Sequence, residues 1–444
     1  MNKLFFILTG LLFINAYCQE DTPIALNINK EEGMSYTPLS KMGIDSTYVY
    51  SKVDSIITNG IKNNAFPGAQ VLVAKNGTIV FHESYGYHTY NNIQAVANND
   101  IYDLASVTKI AGPLPAIMKL VDNGKLNLDQ PFSTYWKPWK KIEDKKDMTL
   151  REILAHQAGL VPYIIFLNVV IKKNGKLKKR FVRTTPNFKF KKQAFDHLFV
   201  KNNFNLKMYR MINKSKVSTE KKYKYSGLAF LIFPKLIEQL TGQSYERYIT
   251  EHFYHPLKAF TLGFNPKTKN QTNKIVPTEI DTLYRHTLTQ GWVHDENASL
   301  LGGISGNAGL FGTANDLAKL MQMYQNFGVL NGHRFISEAT LREFTKIQYP
   351  KNENRRGLGF DKPLIKNAEL NLNEAYPAPE ASEQSFGHSG FTGTFVWADP
   401  KHQLVFVFLS NRVYPTRENR NLYKLNIRGA LQQVFYKALS TPKE

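Results

Sequence analysis

Apolar residues along the chain switch between two spacings, and the switches outline an architecture. Over residues 46–63, Val49, Val53, Ile56, Ile57 and Ile61 recur three or four apart, the period of an amphipathic helix. Residues 69–74 and 78–85 are short apolar runs flanking Asn76-Gly77, a pair suited to the positive φ angles of a two-residue hairpin turn. The carboxyl-terminal end mirrors this arrangement. Residues 394–398 and 403–410 flank a turn at Asp399-Pro400-Lys401-His402, and a helical pattern follows over about 422–439. Between the two ends, over about 104–330, the pattern is mostly helix and loop, including an apolar helical stretch at 228–240 closed by Thr241-Gly242. Strands at both ends with helical patterning between them predict an α/β (α+β) fold. One antiparallel sheet is built from both termini and flanked by the terminal helices, with a mostly helical domain inserted.

The first residues follow a different logic. Met1-Asn2-Lys3 is a short positive start, and residues 4–14 are almost wholly apolar, a length that suits an export signal and is too short to span a bilayer. Ala16-Tyr17-Cys18 places small residues for cleavage before Gln19. Residues 1–18 are therefore expected to be a signal peptide and 19–45, polar and without period, a leader. A periplasmic or secreted protein is expected, either soluble or lipid-anchored at Cys18. Cys18 is the only cysteine, which excludes a disulfide framework, a cysteine zinc cluster and a thiol relay.

At 42% hydrophobic and 21% charged, the 444 residues have the make-up of an ordinary globular protein, not a disordered or fibrous one. The charge is less ordinary, with 57 Lys and Arg against 36 Asp and Glu. Residues 171–225 concentrate it, with 18 Lys or Arg against two acids, Asp196 and Glu220. No nucleic-acid recognition motif accompanies the run, so specific nucleic-acid binding is not expected. A solvated basic face is the plain reading, and association with an anionic envelope surface through 171–225 is the functional one.

Three stretches carry candidate chemistry. In Leu104-Ala105-Ser106-Val107-Thr108-Lys109, a helix starting at the serine would put Ser106 and Lys109 on one face. The helix dipole would favour an alkoxide, and a lysine can act as its base if burial or nearby cations depress the amine. Pro113 and Pro115 should break or restart that helix. Tyr223-Lys224-Tyr225-Ser226-Gly227 precedes the apolar helix and offers a phenol for proton relay. Phe386-Gly387-His388-Ser389-Gly390-Phe391-Thr392-Gly393-Thr394 runs into a β pattern, where glycines let another backbone approach a strand edge. Each alone has a bland explanation: a helix cap, a packed tyrosine, a turn.

In this order, Ser-x-x-Lys, Tyr-x-small and His-x-Gly resemble the serine hydrolases related to class C β-lactamases and penicillin-binding proteins. The likeness continues through residues 102–109, Leu154-Ala155-His156-Gln157-Ala158-Gly159-Leu160, 237–248 and 305–313, covering about 46–440. It implies Ser106 as acylated nucleophile, Lys109 as its proton acceptor and Tyr225 as relay to the leaving group. It also implies an oxyanion hole from the Ser106 and Phe391 amides, with His388, Ser389 and Gly390 on the substrate strand. No cofactor is implied. Two departures stand out. Gly227 occupies a position usually held by Asn or Asp, which removes a side chain that contacts substrate and lysine. His388 stands where true β-lactamases usually have lysine, so efficient penicillin hydrolysis is not expected.

Gly291-Trp292-Val293-His294-Asp295-Glu296-Asn297-Ala298 resembles a stretch of a subgroup that turns over peptidoglycan, amidases and β-N-acetylglucosaminidase-associated domains among them. A metal on His294, Asp295 and Glu296 is not expected, because adjacent residues point in different directions. The expected activity is an amidase or peptidase on cell-wall-derived peptides. The alternatives are a carboxylesterase and a catalytically weak penicillin- or muropeptide-binding protein. The partner is accordingly a small peptide, muropeptide or ester. No Gly-x-Ser-x-Gly elbow and no phosphate loop occurs.

Overall fold

Asp45 opens the first long helix, its side chain accepting from the Tyr48 amide at 3.0 Å, and α1 runs Ser46–Lys62 as the apolar spacing predicts. The structure is a computed structural model describing residues 34–269 and 272–440, so the export signal, its cleavage site and Cys18 lie outside the described residues. Strands β1 (Gly68–Lys75) and β2 (Thr78–Gly86) follow, joined through Asn76 and Gly77 at φ 52° and 81°. The central region supplies α2 (Thr108–Ala111), α3 (Pro113–Asp122), α4 (Leu228–Thr241) and α5 (Ala314–Gln325). The chain then returns through β3 (Phe386–Ser389), β4 (Phe395–Asp399) and β5 (Leu404–Ser410) to α6 (Ile427–Ser440).

All five strands pair antiparallel in the order β3-β4-β5-β1-β2, so the two termini meet at β1 against β5. Alternate side chains leave the sheet on opposite faces, and here both faces are buried. Val71, Val73, Phe406 and Phe408 pack with Val53 and Ile57 of α1 and Leu431 and Phe435 of α6. Leu72, Ala74, Val405 and Val407 pack with Leu317, Leu320 and Met321 of α5. Because neither face meets water, β5 reads Leu-Val-Phe-Val-Phe-Leu without polar alternation.

Three expectations need correction. Within residues 34–45, expected as leader, residues 35–37 pair with β2 at Ile79 and the rest includes buried anchors. Thr37 donates its amide to Ile79 O at 2.8 Å, Ile79 donates to Ser35 O at 2.7 Å, and Leu39 and Ile44 are buried. Two apolar anchors in a polar stretch give no periodicity to detect. The helix expected over 422–439 is interrupted where Asn426 takes φ 44°, leaving a short turn Asn421–Lys424 ahead of α6. The basic segment also holds strands, a small sheet of Val182–Arg183, Lys192–Phe195 and Leu198–Val200, before a helix Phe204–Asn213. Among the described residues no helix is long and apolar enough to cross a membrane.

Candidate active site

Ser106 sits in a single 3₁₀ turn, Ala105–Val107, that leads into α2. The turn begins with strain, since Ala105 holds φ 45°, a left-handed conformation costly for any residue with a Cβ. The cost is offset by fixed partners. Asp103 Oδ1 accepts from the Ala105 amide at 2.8 Å, and its Oδ2 accepts from the His294 amide at 2.7 Å. Burial pushes the Asp103 carboxyl up. The helix stops at Gly112 (φ −104°, ψ −88°) and restarts at Pro113, as the prolines predict. Two of its freed carbonyls are capped by phenols, Ile110 O by Tyr324 at 2.7 Å and Ala111 O by Tyr254 at 2.8 Å.

One helical turn brings Lys109 Nζ to 2.9 Å from Ser106 Oγ. The lysine is only 3% exposed and also donates to the Asn307 carbonyl at 2.9 Å, so a neutral oxygen holds it from the far side. Tyr225 arrives on the loop before α4 and presents its ring to the amine, 5.4 Å from centroid to Nζ. Its hydroxyl has no hydrogen bond to Ser106 or Lys109 among the described residues. The ring is clasped by His156 at 4.5 Å, by His388 at 6.1 Å and by the Arg356 guanidinium at 5.7 Å. His156 Nδ1 accepts from the Ser226 amide at 3.3 Å, which places its proton on Nε2. His388 Nδ1 lies 2.7 Å from Ser389 O, which places its proton on Nδ1 and leaves Nε2 a bare acceptor. Both Nε2 atoms are buried without a partner among the described residues, as is Arg356 Nε.

The β3–β4 loop closes the other side. β3 is an edge strand, and Asp361 pairs with it only at Gly387, leaving His388 and Ser389 at the open end. Gly390 must lack a side chain, because a Cβ would lie 2.0 Å from Thr394 Oγ1 and 2.6 Å from Leu104 O. Arg428 Nη2 donates to Gly390 O at 3.0 Å, and Arg412 Nε donates to Phe391 O at 2.7 Å. In a planar trans peptide the N–H points opposite the C=O, so Arg428 fixes the direction of the Phe391 amide. Thr392 Oγ1 and Thr394 Oγ1 donate to Asp103 O and Leu104 O at 2.8 and 3.1 Å, tying this loop to the residues just before Ser106.

The residues of the 291–298 stretch are committed elsewhere. His294 Nε2 pairs with Glu279 at 2.8 Å, Asp295 Oδ1 accepts from the Ala298 amide at 2.8 Å and from Asn307 at 3.1 Å, and Glu296 pairs with Arg417 at 2.8 Å. At Gly227 a Cβ would meet nothing within 4 Å, so the missing side chain leaves open space.

Burial also sets an acid limit. It depresses His82 to about 4 and, with Arg356 and Lys109, His388 to about 3, and it drives His156 well below its usual value. The unfolded chain takes up these protons first. The stability from neutral histidines is therefore complete above about pH 6.5 and is lost as pH falls towards the folded values. Against the cost of burial, Arg356 and Arg355 hold Asp361 near 2, and His294 and Arg417 hold Glu279 near 2. These carboxylates add to the loss only below about pH 4.5. The melting temperature should fall steadily from pH 6.5 to 4, less steeply in His82→Leu. A flat profile across that window contradicts the assignment.

The sequence reading did not single out Asp103, His156, Asn307 or Arg356. The first three lie within the stretches that carry the family likeness and could have been weighed there. Arg356 has no local signal, because its role depends on folding Asn354–Asp361 under Tyr225.

The β-lactamase family profile matches residues 53–430. An N-acetylmuramyl-L-alanine amidase of Bacillus subtilis (strain 168) is 28% identical over 407 residues, with 85% of each chain covered. A putative D-alanyl-D-alanine carboxypeptidase of Salmonella typhimurium is 29% identical over 398 residues, with 84% of each covered. Among solved structures, EstCE1, a hydrolase with promiscuous acyltransferase activity, superposes with TM-score 0.62 at 17% identity, covering 87% of this chain and 98% of that one. A penicillin-binding protein homologue from Caulobacter crescentus gives 0.60 at 17%, covering 87% and 97%. These two share the fold, with its antiparallel sheet and surrounding helices. With the profile spanning most of its length, the chain belongs to the β-lactamase family of hydrolases.

Proposed function

We propose that the protein is an exported serine hydrolase that acylates Ser106 and acts on amide bonds of cell-wall-derived peptides. The observation that carries this reading is the 2.9 Å contact between Lys109 Nζ and Ser106 Oγ in a pocket closed by Tyr225 and the β3–β4 loop. Lys109 takes the serine proton as Oγ attacks the carbonyl carbon. The Ser106 and Phe391 amides receive the developing oxyanion, each such donor being worth about 3 kcal/mol in acyl transfer. Tyr225 returns the proton to the leaving amine, its hydroxyl closing on the amine only once substrate is bound. Water then releases the acyl group. The amidase and carboxypeptidase names of the two relatives favour an amide over an ester. Initial rates on muropeptides, D-amino peptides and short-chain esters test this directly. Amide turnover above ester turnover is expected, and turnover of esters alone contradicts it.

Gly227→Asn restores the usual family side chain into open space at φ −87°, a conformation any residue adopts. Stability should change by no more than about 0.5 kcal/mol. Acylation by amide substrates should rise about tenfold, the size of one net hydrogen bond. An unchanged kcat/KM shows that position 227 does not reach the substrate.

We also propose that the 171–225 face holds the enzyme to anionic envelope polymer. Of the described ion pairs, those involving this segment are Lys221 with Glu152, Lys222 with Glu220, and Asp196 with Lys267. Lys178 donates to the Val169 carbonyl at 3.0 Å and Arg180, Arg183, Lys189 and Lys207 lie over aromatic rings, but none of these has a described carboxylate partner, which leaves their charge to a polyanion. Retention on heparin should fall steeply with salt and fall further when Lys172, Lys173, Lys176, Lys178 and Lys179 are changed to Gln. Retention indifferent to both overturns the proposal.

A further inference from the structure

The 293–298 stretch forms no site of its own, yet two of its hydrogen bonds lead back to Ser106 and Lys109. The loop itself is fixed first. Arg285 donates to Val293 O at 2.6 Å and to His294 O at 3.2 Å, and Asp281 holds the guanidinium at 2.9 Å. Neither side chain of that ion pair meets solvent. With its carbonyls held by a buried, paired arginine, the loop is a rigid support.

From this support one arm reaches the nucleophile and one reaches its base. The His294 amide donates to Asp103 Oδ2 at 2.7 Å, and Asp103 Oδ1 accepts from the Ala105 amide at 2.8 Å, which braces the strained turn carrying Ser106. The next residue, Asp295, serves Lys109. Its Oδ1 accepts from Asn307 Nδ2 at 3.1 Å, while Ser305 Oγ donates to Asn307 Oδ1 at 2.7 Å, so both ends of that buried amide are tethered. The backbone beside it has no room to shift, since a Cβ on Gly306 would lie 2.3 Å from Phe230 O of α4. Held in this way, the Asn307 carbonyl accepts from Lys109 Nζ at 2.9 Å, on the far side from Ser106.

We propose that Asp295 is a positioning residue for acyl transfer, a role that rests on Ser106 and Lys109 being nucleophile and base. Through Asn307 it fixes the amine of Lys109 at hydrogen-bond distance from Ser106 Oγ. A lysine amine rides on a flexible stem, and a fixed second acceptor keeps it where it can take the serine proton. Asp295 itself touches neither substrate nor the reacting atoms.

The test separates this contact from the helix cap that Asp295 also provides, its Oδ1 accepting from the Ala298 amide at 2.8 Å. Serine caps a helix about as well as aspartate, but its side chain stops short of Asn307. Asparagine keeps the acceptor for both partners and removes only the charge. A fluorophosphonate is titrated against the full chain, and intact mass gives the maximal rate of Ser106 labelling and the half-saturating concentration. Asp295→Ser and Asn307→Ala should each lower the maximal rate about tenfold or more and leave the half-saturating concentration unchanged, because the proton transfer alone is misaligned. Asp295→Asn should recover most of the rate. An unaltered maximal rate in Asp295→Ser or Asn307→Ala would overturn the proposal, as would a loss in Asp295→Asn as large as in Asp295→Ser. A change confined to the half-saturating concentration overturns it too. Melting curves establish that each variant is folded at the assay temperature. If the unmodified chain labels at Ser106 and Asp295→Ser labels as fast, the positioning role alone fails. If the unmodified chain does not label at Ser106, the acyl-enzyme reading fails and this role falls with it.

Discussion

Ser106→Ala should lower kcat by about 10⁵-fold while leaving the fold intact, because in the proposed mechanism the nucleophile, its base and the relay act as one unit. The hydroxyl is half-buried and donates to no core group whose loss would unsettle the protein, so the melting temperature should stay within a few degrees. Lys109→Met should cost nearly as much in rate. It removes the 2.9 Å contact with Ser106 and also frees the Asn307 carbonyl, so it should destabilise the protein by about 1–3 kcal/mol as well. Combining the two changes should slow turnover little beyond the slower single variant. Additive losses would mean that the two side chains do not serve one proton transfer. Steady-state kinetics of the four proteins, with the unmodified chain as reference, decides the matter.

Gly390→Ala should be the next most damaging change, reducing kcat about 10²–10³-fold with a smaller effect on KM. The added carbon cannot fit 2.0 Å from Thr394 Oγ1 and 2.6 Å from Leu104 O, so the loop must move and carry the Phe391 amide with it. The same amide can be misdirected without a clash. Arg428→Met removes the donor that holds the Gly390 carbonyl at 3.0 Å, and should lower kcat about tenfold with little change in KM. If both variants raise KM and leave kcat unchanged, the loop binds substrate but does not stabilise the oxyanion.

The parts of this molecule that were legible in its sequence are those governed by short-range rules. Asn76-Gly77 specifies its own hairpin, α1 declares itself by period, and Pro113 marks the restart after Gly112. Ser106 and Lys109 meet because three residues make one helical turn. Parts assembled from distant segments were not legible. Nothing in Leu39 or Ile44 says that they will join the core packed with α1 and α6, and nothing around Arg356 says that it will lie under the Tyr225 ring. Tyr225 itself was found by motif, but its orientation, ring rather than hydroxyl towards the lysine, is set by His156, His388 and Arg356 from three other segments. Charge identified the 171–225 segment as unusual, and only the fold shows that Asp196 fastens it to Trp292.

The most direct test is covalent. Treating the protein with a fluorophosphonate and reading the intact mass should show a single adduct, which peptide mapping should place on Ser106. Lys109→Met should label far more slowly, and Ser106→Ala should not label at all. An adduct on another serine, or labelling that persists in Ser106→Ala, would contradict the account at its root.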